Sequence, residues 1–168
     1  VITDLLDDDL RPEREVLDHL AEVVALQARN EADLVGRVEQ ADALIVYHEV
    51  ALTRLTLERL QKCRVIVRGG VGFDNVDGAL ARQFGIPLAN TPDYGSEEVA
   101  DSALGMLLAL TRGIHRANSV LRAGPDDWTY QVCAPLARLR HRVLGIVGLG
   151  RIGTAMAVRG KALGMEVV

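Results

Sequence analysis

Val143-Leu144-Gly145-Ile146-Val147-Gly148-Leu149-Gly150-Arg151-Ile152-Gly153 runs from β-branched residues into three spaced glycines, and an alanine-rich stretch follows. The apolar run reads as a buried strand, over residues 142–147. Gly148 permits a tight turn, Gly150 lets the backbone approach a pyrophosphate, and Gly153 lets a helix pack close to the strand. The helix that opens here, to about residue 163, would present unpaired amides and a positive dipole end to phosphate oxygens. A strand before the glycines and a helix after them is the context that separates a dinucleotide loop from an incidental turn. The acidic residue that holds the ribose hydroxyls is expected about 20 residues further on. From Gly148 that falls at or just past Val168, so the sequence does not choose between NAD and NADP.

Upstream, the same alternation repeats. Strands are expected at residues 1–3, 23–26, 43–47, 64–67 and 86–89. Helices are expected at 12–20, 31–40, from Thr53 to about 61, and from Asp74 to 84, where Gly85 ends the last. On the 31–40 helix, Leu34, Val35 and Val38 share one face. Strand–helix repetition with short connections predicts an α/β fold with a parallel sheet covered on both faces, flavodoxin-like over the first 90 residues. The rhythm changes near residues 92–98, where Ser96 and Glu97 begin a long helix reaching about residue 121, broken by Gly124-Pro125. A second α/β unit then starts at 142.

The balance of charge and apolarity narrows the function classes. The chain has 168 residues, 49% of them hydrophobic and 25% charged, which excludes a disordered chain. A net charge of −4 gives no basic footprint for nucleic acid. Its apolar runs fall short of the ~18 residues of a membrane span. Cys63 and Cys133 stand in no metal-ligand spacing, which predicts a reducing, cytoplasmic setting and no metal site. No leader-like segment precedes Val1, so secretion is not expected. The chain opens without Met and both ends read as strand, which suggests a fragment.

A second glycine cluster, Arg68-Gly69-Gly70-Val71-Gly72-Phe73-Asp74-Asn75, lies between a strand and a helix. Parallel sheets bind ligands at the carboxyl ends of their strands. Two readings stand: an anion nest from Gly70 to Gly72 with Arg68 as a planar cation, or a glycine turn with Asp74 and Asp77 as helix caps. Tyr47-His48 ends the third strand on the same edge and either lines that cleft or lies on the surface. His19, His115 and His141 read as solvated, Cys63 as a small buried residue and Trp128 as a packing anchor. Asp7-Asp8-Asp9 has the look of a phosphoacceptor pocket, but the Asp such a site needs after the third strand is replaced by Tyr47-His48. A solvated acidic loop is expected there.

Together these segments resemble the D-isomer-specific 2-hydroxyacid dehydrogenases. Val67–Asp77 is similar to the family's substrate loop. Asn90-Thr91-Pro92 and Glu97-Glu98-Val99-Ala100-Asp101-Ser102 are similar to its crossover into the nucleotide domain, and Gly148–Gly153 to its cofactor loop. The motifs occur in the family's order along essentially the whole chain. Tyr47-His48, Arg68 and Phe73-Asp74-Asn75 resemble most the C-terminal-binding-protein branch, which includes transcriptional corepressors that keep a dehydrogenase fold.

The resemblance implies a flavodoxin-like substrate domain at 1–95 and the truncated start of a Rossmann NAD-binding domain at 96–168. It implies a D-2-hydroxy acid or 2-keto acid as substrate and NAD as cofactor. The backbone around Gly70, Val71 and Gly72 would hold the substrate carboxylate, with Tyr47, His48 and Arg68 facing the substrate. Val71 and Val99 would touch the nicotinamide end, and Gly148, Leu149, Gly150, Arg151, Ile152 and Gly153 the pyrophosphate. The family's catalytic Arg, Glu and His come later than its cofactor loop, and none of the four histidines here matches. No catalytic residue is therefore expected in these 168 residues, and the isolated fragment is expected to be inactive. A homodimer is implied for the parent protein, with the helix from 97 to 121 in the contact. The competing class is a dinucleotide-sensing scaffold of the corepressor type, with little or no turnover.

Overall fold

A computed structural model of the chain describes residues 1–6, 9–124 and 128–168. The Asp7-Asp8 part of the acidic loop, and Pro125, lie outside the described residues. Contacts divide the chain into two units, Val1–Tyr94 and Gly95–Val168.

The first unit is built on a five-stranded sheet: β1 (Ile2–Asp4), β2 (Ala25–Ala28), β3 (Ala43–Val46), β4 (Val65–Arg68) and β5 (Leu88–Asn90). The strand order is β2-β1-β3-β4-β5 and every pairing is parallel. That is the flavodoxin-like order the sequence predicts. Side chains alternate across each strand, so Leu44 and Val46 of β3 and Ile66 of β4 enter one buried cluster with Leu52, Leu57 and Val76. Arg68 occupies the next position of the same alternation, opposite Val46, and is itself buried. The pleat thus carries a guanidinium to the carboxyl edge of the sheet on a core-facing position.

The connections are shorter than helical periodicity suggests. Helix α1 covers Arg11–Leu17. The helix expected at 31–40 is one 3-10 turn, Glu31–Leu34, started by a reciprocal cap between Asn30 and Asp33. Val35 then turns extended and Gly36 adopts φ +81°, which ends the helix. Leu34 and Val38 are buried as expected, whereas Val35 faces solvent. Thr53 does cap a helix, α2, but it spans only Arg54–Leu57. Arg59 and Leu60 bond back to Thr56 and Leu57 in the tighter three-residue pattern, so the α-helical ladder stops. Helix α3 covers Gly78–Gln83, and its cap is Asp77, which accepts from the Leu80 amide, not the exposed Asp74. Leu52 and Val76 pair as a parallel bridge, which holds residues 74–76 out of the helix.

In the second unit, helix α4 runs Ser96–Arg112 and α5 runs Ile114–Ala123. The single long helix expected there is broken by Gly113, left-handed at φ +65°, where a side chain would strike the Cys133 backbone. Strand β6 (Val143–Leu144) pairs in parallel with β7 (Glu166–Val167), and α6 spans Arg151–Ala162 between them. The regular strand is shorter than the 142–147 expected, although the Ile146 amide still bonds the Val168 carbonyl. Ala100 of α4 packs with Ala155 and Met156 of α6. Arg159 of α6 reaches back to Glu97 and Asp101 of α4, both at 2.7 Å. Among the described residues, no helix is long and apolar enough to cross a membrane.

Candidate functional site

The carboxyl edge of the five-stranded sheet gathers Tyr47, His48, Arg68 and the 69–72 loop. Asp4 and Asn75 hold these pieces in place. Asp4, fully buried at the end of β1, accepts from the Tyr47 amide (2.9 Å), the Glu49 amide (2.8 Å), the Val50 amide (3.2 Å) and the Thr3 hydroxyl (2.6 Å). Asn75 donates to the Tyr47 carbonyl (3.0 Å) and the Val50 carbonyl (2.9 Å). The loop after β3 is therefore gripped through its amides from one side and its carbonyls from the other. Asp4 gave no sequence signal beyond standing at a strand end, and its burial is visible only in three dimensions.

Within this frame, Arg68 Nη2 lies 2.7 Å from His48 Nδ1. A guanidinium can only donate, so Nδ1 is the acceptor and the proton of the neutral imidazole belongs on Nε2. Arg68 Nη1 overlies Gly70, where any side chain would collide with it. Arg68 Nε is buried with no hydrogen-bond partner. The Tyr47 ring lies against Gly69, where a Cβ would come within 2.6 Å of Cε1. Its hydroxyl donates to Glu13 Oε1 at 2.6 Å. The Tyr47 ring thus favours glycine at 69, whereas a side chain at 70 would have to displace the end of Arg68.

The loop's own hydrogen bonds divide its polar groups. The Gly70 amide donates to the Arg68 carbonyl at 2.8 Å, so Gly70 offers no free donor. The Gly70 carbonyl accepts from the Thr91 amide, and the Val71 carbonyl from Asn90 Nδ2. That leaves the amides of Val71 and Gly72 without an acceptor among the described residues, on an exposed rim. The nest expected over Gly70–Gly72 is thus narrower, with donors at 71 and 72 and a buried cation beside them. A separate groove of about 820 Å³ between α3 and β5 is lined by Phe73, Arg82 and Asn90, but not by Tyr47, His48 or Arg68. The chemistry-bearing side chains lie elsewhere.

In the second unit, the residues from Gly148 to Gly153 form the turn into α6. Gly148 takes φ +98°, which favours glycine. A Cβ on Gly153 would run into the Gly148 carbonyl oxygen, whereas one on Gly150 would meet nothing within 4 Å. Gly150 is the helix N-cap and no side chain caps it. Leu149 is exposed. The turn thus offers an open helix end with a bare backbone approach, which fits a pyrophosphate. Close helix–strand packing falls to Gly160 as well, whose Cβ would lie 2.6 Å from Leu144 Cδ2. Val99 lies half exposed on α4. Among the described residues, no group of three metal-ligating side chains occurs.

The family model for the D-isomer specific 2-hydroxyacid dehydrogenase catalytic domain matches residues 1–162. The chain belongs to this family. It is 34% identical over 168 residues to a D-3-phosphoglycerate dehydrogenase of Methanocaldococcus jannaschii, covering all of this chain and 31% of that protein. A solved protein of Thermus thermophilus superposes with a TM-score of 0.84 at 33% identity, over 99% of this chain and 53% of that one. The NADPH-dependent glyoxylate/hydroxypyruvate reductase of Sinorhizobium meliloti superposes with a TM-score of 0.82 at 30% identity, over 99% and 52%. The chain thus spans about a third of that dehydrogenase and about half of these two solved chains. The α/β fold with its parallel sheet is the fold of this dehydrogenase family.

Proposed function

We propose that these residues supply the substrate-carboxylate loop and the opening of the dinucleotide site of an NAD-dependent D-2-hydroxyacid dehydrogenase. The observation that carries the reading is the pair of unpartnered amides at Val71 and Gly72 beside the buried guanidinium of Arg68. Two N–H groups and a fork of donors suit a planar carboxylate. The orphaned Arg68 Nε is a donor whose burial costs energy until an acceptor arrives. Tyr47 and His48 would face the rest of the substrate, the latter through its Nε2–H. Residues 1–95 and 96–168 would serve as substrate domain and first portion of the Rossmann domain.

The open turn from Gly148 through Leu149, Gly150, Arg151 and Ile152 to Gly153 would hold the pyrophosphate, with Val71 and Val99 toward the nicotinamide. The cofactor, when bound, accepts or gives the hydride. The chain's own part is to fix the 2-keto acid by its carboxylate and keep its C2 aligned, so that orientation is settled before reaction. The proton-transferring imidazole and its Arg and Glu partners would come from residues outside these 168. Met106 and Leu110, one turn apart and exposed on α4, favour a homodimer in the parent protein. Two cysteines without a disulfide suit the cytoplasm.

Oxidation of NADH by the complete protein with glyoxylate, pyruvate or hydroxypyruvate tests this directly. Turnover by the complete protein, and none by the 168 residues alone, is expected. Cofactor binding with no turnover of any 2-keto acid would favour the scaffold class, which finds no support in the relatives above. Nearness to the C-terminal-binding-protein branch rests on Tyr47-His48, Arg68 and Phe73–Asn75 alone, while a named relative is a D-3-phosphoglycerate dehydrogenase.

A further inference from the structure

We propose that Glu13 sets the substrate class of this site, turning away 2-keto acids that carry a second anionic group such as a phosphate. The inference rests on the dehydrogenase reading and concerns the same loop.

Glu13 stands in the first turn of α1, outside every recognisable motif, yet its Oε1 accepts the Tyr47 hydroxyl at 2.6 Å. A phenol has one proton. With that proton committed to Glu13, the Tyr47 oxygen shows only lone pairs to anything else that approaches. Glu13 Oε2 is closed off from solvent without a hydrogen-bond partner. No ion pair to Glu13 occurs among the described residues.

The Tyr47 ring rests on Gly69, two residues before the Val71 amide. The guanidinium of Arg68 already gives one N–H to His48. A second anionic group placed toward Tyr47 would meet lone pairs backed by the half-buried Glu13 carboxylate. Repulsion of this kind excludes a competitor rather than improving the preferred ligand.

The test compares hydroxypyruvate with 3-phosphohydroxypyruvate on the complete protein, by calorimetric titration in the presence of cofactor and by NADH oxidation. The unphosphorylated acid is expected to be favoured in both, and Glu13→Gln is expected to narrow the ratio about tenfold, mainly through a lower KM for the phosphorylated acid. In the wild type the ratio should shrink between low and high salt, because screening weakens charge repulsion; in Glu13→Gln it should not. A purely structural role would change both acids alike and leave the salt dependence in place, and that result overturns the proposal. So does a wild type that prefers the phosphorylated acid, or one that binds neither. If Glu13→Gln fails to fold, the wild-type preference and its salt slope still decide. Absence of NADH oxidation with a retained binding preference would overturn the dehydrogenase reading while leaving the role of Glu13 in place.

Discussion

Arg68 Nη2 donates to His48 Nδ1 across 2.7 Å, tying the last residue of β4 to the loop after β3. The two side chains lie twenty residues apart in sequence and meet because β3 and β4 are adjacent parallel strands in register, Val46 opposite Arg68. The contact restrains the guanidinium at one of its two terminal nitrogens. A cation held this way is ready for a carboxylate without further ordering.

Arg68→Lys tests that preorganisation. An ammonium is a point charge that cannot span His48 and a substrate carboxylate together. Hydrogen bonds to charged groups are worth about 1.5–3 kcal/mol, so kcat/KM of the complete protein for a 2-keto acid should fall roughly 10- to 150-fold. Steady-state kinetics with unchanged values would remove Arg68 from the site.

Gly153→Ala addresses the dinucleotide turn. The new Cβ would meet the Gly148 carbonyl oxygen, which is backbone and cannot rotate away. Overpacking of this sort costs about 1–3 kcal/mol. Thermal unfolding should shift down, and NADH binding, followed by its fluorescence, should weaken sharply. Gly150→Ala, with open space at its Cβ, should be the milder change for folding.

Asp4→Asn probes the frame behind the loop. Its carboxyl oxygens accept four hydrogen bonds in a fully buried position, and an amide nitrogen can accept none. At least one buried N–H would lose its partner, at a cost of about 1–3 kcal/mol. Urea unfolding should show that loss. Catalytic efficiency should drop with it, because Tyr47 and Glu49 hang from the same carboxylate.

Asp33 gives a pH-dependent case. Hydrogen bonds from the Arg29 and Asn30 amides, that from Arg29 foremost, hold its carboxyl below the usual aspartate range. A lowered folded pKa means that the cap's stabilisation is complete above the unfolded value of ~3.9 and fades as pH falls through the folded one. Wild type should therefore exceed Asp33→Asn in urea midpoint at pH 6, and the gap should close as pH falls below the unfolded value. A gap that stays constant to pH 2 would contradict this assignment.

Strand–helix alternation and the two glycine clusters announced the parallel sheet, because both depend on local properties: period-two burial and backbone freedom. Helix lengths were less legible. Periodicity carried the 31–40 helix past Gly36 and the 96–121 helix past Gly113, where a left-handed backbone ends each ladder. Asp74 and Asp77 are equal candidates as caps by composition. The Leu52–Val76 bridge, a contact between distant loops, makes Asp77 the cap.

The sequence by itself determined which elements form, that their strands run parallel, and that Arg68, Val71, Gly72 and Gly148–Gly153 follow the carboxyl ends of strands, the edge that parallel sheets generally offer to ligands. Which side chains and loop amides become hydrogen-bonded neighbours was left to the tertiary structure. It placed Asp4 beneath Tyr47, brought Glu13 to the Tyr47 hydroxyl, and took the Gly70 amide out of the cradle. Each of these is a pairing of hydrogen-bond partners with no fixed spacing along the chain. Local pattern encodes a residue's face and its backbone angles. The identity of the group across from it is decided only when burial forces every polar atom to find a partner.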